Sequence, residues 1–236
     1  MRHRPPDPRS GPGHHRRLRH HPSYTAHMGL RERFQAGLAR QLGHPSGLRG
    51  RFVGSALNRR NREAVVKAVA ALELSGAERA LDIGFGGGLG LGLLLRKAAT
   101  VQGVEISKTM LDRARGTFRR EIAAGRLVLS EGPMTALPLD DGSADAIVTT
   151  NTVYFVDDLA AAFAEVARVL APGGRFVLGI GDPELMGRAR MLTDNGFRIR
   201  PVAEIEAALA AAGLGSSRHE RFAHRGLGFH LLVTGK

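Results

Sequence analysis

Short apolar segments alternate with amphipathic segments through the middle of the chain. The apolar runs are four to six residues long, which is typical of buried parallel strands, and they lie at residues 79–83, 100–104, 126–129, 145–149 and 175–180. The segments with helical spacing lie at residues 89–98, 108–123, 159–170 and 202–212. This alternation predicts an α/β fold in which helices cover both faces of a parallel sheet.

The C-terminal pattern is different. Two further predicted strands, at residues 217–223 and 228–234, are separated by only a few residues. Such a connection is too short for a parallel crossover, so the two strands must form an antiparallel hairpin. The sequence therefore predicts a doubly wound sheet of seven strands, mostly parallel, with an antiparallel last strand.

The N-terminal part has its own composition. Residues 1–27 contain six arginines, six histidines and five prolines with one acidic residue, Asp7, and almost no large apolar side chains. Such a segment cannot bury enough surface to offset its chain entropy, so we expect disorder there. Two explanations stay open: translation begins at Met28, which we favour, or the segment is a nucleic-acid-binding arm.

Helical spacing returns at residues 30–42 and 57–74, before the first predicted strand. The predicted organisation is therefore a disordered leader at residues 1–28, a helical cap at residues 29–76 and one α/β domain at residues 77–236.

Composition narrows the class of protein. The chain has 236 residues, 43% of them hydrophobic, and carries a net charge of +12. No apolar run approaches the length that spans a bilayer, so we expect no membrane partner. Cysteine is absent, which excludes disulfides, thiolate metal sites and cysteine catalysis, and a cytoplasmic location fits best.

A glycine-rich loop follows the first predicted strand. Gly84, Gly86 and Gly88 stand between that strand and a helix, where they would let a ligand approach the backbone closely. Asp82, at the end of the strand, would repel a pyrophosphate, and Leu89 stands where a dinucleotide-binding loop needs its third glycine. The loop therefore favours a ligand with a cationic group over a nicotinamide dinucleotide.

A second acidic residue ends the next predicted strand. Glu105 comes 21 positions after Gly84, which is the spacing at which an acid reaches a ribose diol. Ser107 follows it and is predicted to cap the next helix. The acid–glycine–acid arrangement therefore indicates a nucleoside-containing ligand.

Four collinear motifs between residues 80 and 181 resemble those of the class I S-adenosylmethionine (SAM)-dependent methyltransferases. They are the acidic and glycine residues at 82–88, the segment 105–111, the Leu-Pro-Leu and Asp-rich segment at 137–145, and the Arg-Val-Leu-Ala-Pro-Gly-Gly segment at 168–174. The resemblance implies a Rossmann-like fold, SAM as the cofactor and methyl transfer as the activity. The reversed last strand of that family agrees with the hairpin predicted above.

The resemblance also implies positions for the cofactor. Asp82 with the loop residues Gly84, Phe85, Gly86 and Gly88 would hold the methionine part of SAM. Glu105 would bind the ribose, Ile106 would pack on the adenine, and Asn151 would line the methyl-transfer cleft. Where the family has Gly-Asp-Ala before the Leu-Pro motif, this chain has Gly132-Pro133-Met134, so only the backbone of Met134 is left to recognise the adenine amino group.

No general base is evident in the sequence. The candidates at the carboxyl ends of the strands are Tyr154 and His224, although a packing role for the tyrosine and a solvated turn for the histidine are the simpler interpretations. Asp157 and Asp158 are predicted to cap the helix at residue 159 rather than to bind a metal. Two segments, the cap with its residues 58–62 and the insertion at residues 182–200, are expected to shape the acceptor pocket.

The leading hypothesis is a SAM-dependent methyltransferase that acts on a small organic molecule. An RNA or protein methyltransferase and a non-catalytic SAM-binding partner are the alternatives. A nucleic-acid partner is disfavoured because aromatic residues make up only 5% of the chain and residues 151–154 lack the Asn/Asp-Pro-Pro-Tyr pattern. The sequence leaves the acceptor and the oligomeric state open.

Overall fold

The computed structural model describes residues 62–187, 197–224 and 227–236. Seven strands form a single sheet in the order β3-β2-β1-β4-β5-β7-β6. Their bounds are β1 (Arg79–Ile83), β2 (Thr100–Glu105), β3 (Leu127–Glu131), β4 (Ala144–Thr150), β5 (Leu170–Gly181), β6 (Gly215–His224) and β7 (Leu227–Gly235).

The helices fill the connections between these strands. Their bounds are α1 (Arg62–Ala71), α2 (Leu89–Leu94), α3 (Lys108–Thr117), α4 (Arg119–Ala123), α5 (Leu159–Val169), α6 (Pro183–Gly187) and α7 (Val202–Ala211), with a 3-10 turn at Val153–Phe155. Ser107 caps α3 and Asp158 caps α5 through their side-chain oxygens, as predicted.

The strand pairing confirms the predicted topology. The pairs β1–β2, β1–β4, β2–β3 and β4–β5 are parallel, whereas β7 runs antiparallel to both of its neighbours, β5 and β6. The last strand of the chain is therefore the reversed one, and it lies between two strands that precede it.

Two apolar cores lie on opposite faces of the sheet. On one face α5 and α7 pack against β4 and β5 through residues such as Phe163, Phe176 and Leu209, all of them fully buried. On the other face α1, α2 and α3 pack against β1 and β2 through residues such as Leu91 and Met110. The doubly wound, Rossmann-like architecture predicted from the sequence is confirmed.

One predicted helix is two helices. The pattern at residues 108–123 predicts a continuous helix, but α3 ends at Thr117 and α4 starts at Arg119. The residue between them, Phe118, leaves the helical conformation at φ −106° and ψ 31°. Its ring packs against Gly88 and Gly92, so the break places an aromatic side chain beneath the glycine loop.

Other boundaries also differ from the predictions. The helix expected at residues 89–98 ends at Leu94, and within the described residues the one expected at 57–74 spans Arg62–Ala71. Strand β5 begins at Leu170 rather than at residue 175, because residues 170–174 continue the strand across a register shift opposite β4. These shifts leave the order of the elements unchanged.

Several predictions fall outside the described residues. They are the leader at residues 1–28, the helix at residues 30–42 and all of the helical cap that precedes Arg62. Among the helices that the structure does describe, none combines the length and the apolar character that crossing a membrane would need.

Candidate functional site

The glycine loop lies at the carboxyl edge of the sheet, where the parallel strands end. Gly84, Gly86 and Gly88 have φ values of +68°, +50° and +80°, a backbone region that disfavours residues with a Cβ atom. Gly88 is also the residue that precedes the first turn of α2. The loop therefore folds tightly between β1 and α2, and the amides of Gly84 and Gly88 donate to the carbonyls of Val104 and Phe85.

Asp82 is the buried acidic group of this edge. Its side chain follows the buried core of β1 and is 5% exposed, and no hydrogen bond or ion pair from the described residues reaches its carboxylate. The carboxylate lies against the Cα atom of Gly90, where a Cβ atom would collide with it. Burial, and secondarily the nearby Glu105 carboxylate, raise the pKa of Asp82 to about 7.

Glu105 connects the second strand to the glycine loop. One carboxylate oxygen accepts a hydrogen bond from the Gly86 amide at 2.9 Å. The other oxygen accepts from the amides of Ile106 and Ser107 at 2.9 and 3.0 Å. An ionised carboxylate has about four acceptor positions, so it can take a further donor from a ligand.

Two threonines hold the end of β1 against β4. The Thr149 hydroxyl donates to the Ile83 carbonyl at 2.7 Å, and the Thr152 hydroxyl lies 3.3 Å from the same oxygen. A Cβ atom on Gly84 would overlap the side chain of Thr152. The first turn of the glycine loop is therefore fixed by contacts that the sequence analysis did not single out.

Ile106 and Met134 occupy different environments. Ile106, directly after β2, is 39% exposed, which leaves its side chain available to a flat apolar group. Met134 is 5% exposed and belongs to the apolar core, so its side chain supports the sheet. The contact expected between the Met134 backbone and the adenine stays a prediction.

Asn151 and Tyr154 converge on the end of β5. Asn151 has φ +58°, and its side-chain oxygen accepts from the Gly181 amide at 3.2 Å. The Tyr154 hydroxyl accepts from the same amide at 2.7 Å and lies 3.3 Å from the Gly181 carbonyl. Burial raises the pKa of Tyr154 above its ordinary value, so this tyrosine is poorly suited to act as a base. Its hydroxyl holds the 3-10 turn against the end of β5.

The second catalytic candidate, His224, ends β6, but its side chain lies outside the described residues. Residues 58–61 of the cap and residues 188–196 of the insertion also lie outside them. Among the residues that the structure places, no cluster of three or more histidine and acidic side chains is arranged to hold a metal ion.

The structure reveals a polar cluster that the sequence analysis missed. Asp182, the first residue after β5, is 1% exposed and lies beside Arg221 of β6 and His230 of β7. His219 of β6 forms a hydrogen bond with His230. The signal that could have found this cluster is the register of the hairpin, which places residues 219 and 230 on one face of the sheet.

The residues present fit SAM. The unpaired, buried carboxylate of Asp82 suits a cationic group, and Glu105 retains room for a ribose hydroxyl. Gly86 leaves open space where a side chain would otherwise stand, whereas Thr152 and Phe118 occupy the space beside Gly84 and Gly88. The side chains that the structure gathers at this edge are thus those expected for a sulfonium-bearing nucleoside rather than for a diphosphate.

Comparison with known proteins agrees with this geometry. A family model described as a methyltransferase domain matches residues 81–178. An uncharacterized 37.1 kDa protein in transposon TN4556 of Streptomyces fradiae is 39% identical over 48% of this chain and 32% of its own length. A ubiquinone/menaquinone biosynthesis C-methyltransferase, UbiE, from Geobacter sp. (strain M21) is 31% identical over 56% of each chain.

The solved structures show the same fold. Geranyl diphosphate C-methyltransferase from Streptomyces coelicolor A3(2), in complex with Mg²⁺, geranyl diphosphate and S-adenosyl-L-homocysteine, superposes with a TM-score of 0.66. The alignment covers 83% of this chain and 86% of that one, at 18% identity. At this identity the likeness concerns the fold alone.

The fold is that of a Rossmann-like domain, and residues 81–178 match the methyltransferase-domain model. The residues that the structure places at the carboxyl edge of the sheet fit SAM as the cofactor. The chain covers about a third of the length of the transposon protein and just over half of the length of UbiE.

Proposed function

We propose that this protein transfers the methyl group of SAM to a small organic acceptor at the carboxyl edge of the sheet. The observation that carries the proposal is the Asp82 carboxylate, which is buried and unpaired within the described residues beside the glycine loop. A buried carboxylate without a counterion costs folding free energy. A cationic ligand at this position offsets that cost.

Each cofactor-binding residue has a distinct role in the proposal. Asp82 faces the ammonium of the methionine part, while the loop residues Gly84–Gly88 provide backbone contacts around Phe85. Glu105 receives the ribose hydroxyls with the acceptor capacity that its three amide contacts leave free. Ile106 packs on the adenine, and the Met134 backbone meets its edge.

Methyl transfer from SAM depends more on the alignment of the acceptor with the methyl group than on acid–base groups of the protein. Bound SAM supplies a methyl group on a positively charged sulfur, which is an electrophile with its own leaving group. The protein must hold the acceptor in line with that methyl group and exclude water, and positioning alone lowers a barrier by about 7–11 kcal/mol. Asn151, whose backbone is fixed in the left-handed region, marks the point where β4 approaches the proposed cleft.

We define the proposed acceptor cleft by Asn151, Tyr154, Phe155 and Phe197, of which Tyr154 is buried and the two phenylalanines are partly buried against the same core. The Phe197 ring is stacked at 5.9 Å from the Tyr154 ring and meets the Phe155 ring edge-on at 4.7 Å. Such a wall favours an acceptor with an apolar portion. The name of UbiE, a ubiquinone/menaquinone biosynthesis C-methyltransferase, supports the same class of acceptor.

The test is SAM binding by isothermal titration calorimetry on the wild-type chain and on Asp82→Asn. We expect micromolar affinity in the wild type and a loss of at least about tenfold in the variant, because the charge-assisted contact is gone. Asp140→Asn is the matched control, since it makes the same change at an exposed aspartate. Equal affinities of Asp82→Asn and the wild type would contradict the proposed cofactor site.

A second candidate function is that of a SAM-binding partner without transfer activity. The observation that favours it is the engagement of Tyr154, whose hydroxyl is occupied by the Gly181 backbone. Incubation with methyl-tritiated SAM and a metabolite extract separates the two functions. A labelled small molecule supports the transferase, whereas tight SAM binding without any labelled product supports the partner.

A further inference from the structure

The 3-10 turn that carries Tyr154 is held by the segment at residues 197–200, directly before α7. Phe197 supplies the ring contacts described above, and the Arg198 amide donates to the Tyr154 carbonyl at 2.9 Å. Arg200 adds its side chain, which is only 12% exposed. One short segment therefore contacts the rings of the turn, its backbone and its far end.

The guanidinium of Arg200 binds three backbone carbonyls. Its Nη1 atom donates to the Val153 carbonyl at 3.0 Å. Its Nη2 atom donates to the carbonyls of Val156 and Asp157 at 2.7 and 3.2 Å. Its Nε atom lies 3.3 Å from the carboxylate of Glu204, in the first turn of α7. All three nitrogens are thus engaged, and we call the guanidinium with its three carbonyls the Arg200 clamp.

These three carbonyls lie at a break between helical elements. The Val153 carbonyl receives only a long bond of 3.4 Å from the Val156 amide inside the turn. The carbonyls of Val156 and Asp157 precede α5, where the Asp158 carbonyl is the first to accept from the helix, at 3.2 Å from the Ala162 amide. Backbone acceptors at such a break need a donor from elsewhere in the fold. The Arg200 clamp supplies that donor.

The planar shape of the guanidinium suits this arrangement. Its N–H groups point in fixed directions within one plane, so two nitrogens meet the carbonyls while the third meets the Glu204 carboxylate. A lysine would keep the positive charge, but its donors all sit on one nitrogen. Charge alone therefore does not reproduce the Arg200 clamp.

The other end of the turn is fixed from the cofactor side. The Thr152 hydroxyl lies 3.3 Å from the Ile83 carbonyl, where β1 enters the glycine loop. The contacts of Arg200 lie at the opposite end, towards α5 and α7. Loosening the Arg200 clamp should therefore displace Tyr154 and leave the Asp82 carboxylate in place.

We propose that Arg200 is a positioning residue for methyl transfer, because its clamp fixes the turn that holds Tyr154 and Phe155 at the acceptor cleft. The effect on the reaction rests on the proposed function, whereas the effect on the turn does not. Transfer requires the acceptor in line with the methyl group, and a misplacement of about 1 Å costs about a hundredfold in rate. Loss of the guanidinium should lower transfer without weakening SAM binding.

The central test compares Arg200→Lys with Arg126→Lys. Arg126 also binds backbone carbonyls, those of Leu95 and Ala98 at 2.6 and 3.1 Å, but it precedes β3 at the opposite edge of the sheet. Tritium transfer from methyl-labelled SAM into a metabolite extract should fall about ten- to a hundredfold in Arg200→Lys and stay at the wild-type rate in Arg126→Lys. The SAM affinity measured by calorimetry should be equal in all three proteins.

A readout of the turn itself does not need the acceptor. The chain has two tyrosines, Tyr24 and Tyr154, so NMR with labelled tyrosine rings gives two sets of signals, which Tyr154→Phe assigns. The Phe197 ring, stacked at 5.9 Å, should displace the Tyr154 signals from those of a solvated tyrosine. This displacement should shrink in Arg200→Lys and persist in Arg126→Lys. Lower transfer with unchanged Tyr154 signals would refute the positioning role.

A measurement on the wild type covers the case in which Arg200→Lys does not fold. A guanidinium held on both Nη atoms rotates slowly about its C–N bonds, so nitrogen NMR of labelled arginine side chains should show separate Nη signals for Arg200. Arg115, an exposed arginine with one ion pair to Asp112, should show averaged signals. Averaged signals for Arg200 as well would overturn the proposal.

The outcomes separate this inference from the proposed function. Equal transfer by Arg200→Lys and the wild type would overturn the inference and leave the proposed function standing. Weaker SAM binding in Arg200→Lys would also overturn it, because the clamp would then serve the cofactor site. A wild type that binds no SAM would refute the proposed function instead, and the NMR comparison would still decide whether Arg200 fixes the turn.

Discussion

Asp82 lowers the stability of the cofactor-free fold, and in the proposed function it contributes to cofactor binding. A carboxylate that is 5% exposed and unpaired within the described residues is an unfavourable group in a folded core. Burial is the main reason that its pKa is raised to about 7, and a raised pKa means that the ionised form is disfavoured in the folded chain. The cofactor-binding role proposed for Asp82 explains why a sequence would retain it at the end of a central strand.

We expect Asp82→Asn to stabilise the cofactor-free protein at alkaline pH. Because the pKa of Asp82 is higher in the folded than in the unfolded chain, the wild type loses stability as pH rises from about 4 through 7. The variant avoids this loss, so its free energy of unfolding at pH 8 should exceed that of the wild type by about 2–4 kcal/mol. Urea unfolding at pH 5 and pH 8 measures both differences.

The advantage of Asp82→Asn should shrink as pH falls below 7, since the wild-type carboxyl then takes up a proton. Asp140→Asn is again the matched control, because it makes the same change at an exposed aspartate. A variant that is less stable than the wild type at pH 8 would mean that Asp82 already has a stabilising partner in the cofactor-free chain.

The proximity of Asp82 and Glu105 could be predicted from the sequence, whereas that of His219 and His230 was missed. Asp82 and Glu105 end neighbouring parallel strands, so the pattern alone brings them to one edge. His219 and His230 lie on adjacent strands of the hairpin, in a register that runs unshifted from the pair His224–Leu227 to the pair Arg218–Val233. The pattern predicts the hairpin but does not determine which residues of its two strands face each other.

At the scale of elements, the break between α3 and α4 serves the glycine loop. Apolar spacing continues across residues 108–123, so periodicity predicts one helix. The break turns the Phe118 ring under α2, where its Cε2 atom would lie 3.1 Å from a Cβ atom at Gly88. Tertiary packing has therefore overridden the local pattern, which is the usual reason that helix ends are misplaced.

A double-mutant cycle tests this support of the loop. Gly88→Ala should cost about 2 kcal/mol, since it adds contact with Phe118 to the strain of a left-handed backbone at φ +80°. In a Phe118→Leu background, the cost of the same change should fall by about 0.5–1 kcal/mol. Chemical denaturation of the four proteins measures the coupling.

Gly125→Ala supplies the control for the backbone strain alone. Gly125 has φ +69°, close to that of Gly88, but nothing lies within 4 Å of the position of its Cβ atom. It should cost only about 1 kcal/mol, with no dependence on Phe118. Additive effects of Gly88→Ala and Phe118→Leu would show that Phe118 does not support the loop.

At the scale of the whole molecule, the charge is divided unevenly along the chain. Residues 1–61 contain 13 arginines against two acidic residues, a net charge of +11. Residues 62–236 contain 21 lysines and arginines against 20 acidic residues, a net charge of +1. The basic excess that motivated an RNA methyltransferase therefore lies almost wholly outside the domain that carries the candidate site, which weakens that alternative.

The sheet also depends on the last strand of the chain. Strand β7 lies between β5 and β6 and pairs with both. Until β7 is in place, β5 lacks one of its two neighbouring strands and β6 lacks its partner. Its residues Leu231, Leu232 and Val233 are 1%, 0% and 3% exposed and enter the cores on both faces. Local folding of the N-terminal strands therefore cannot yield the full domain.

Deletion of residues 227–236 should consequently abolish cooperative folding. Removing three buried aliphatic side chains alone costs about 1.5–3 kcal/mol each, and the pairing of β5 and β6 is lost as well, against a typical net stability of about 5–15 kcal/mol. Circular dichroism during heating should show no sharp transition.

Deletion of Lys236 alone is the control. Its ammonium contacts the carbonyls of Ala167 and Leu170 at 3.0 and 3.3 Å. Losing these contacts should cost about 1 kcal/mol and preserve the transition. A ten-residue deletion that still unfolds cooperatively and binds SAM would show that β1–β5 form an independent unit.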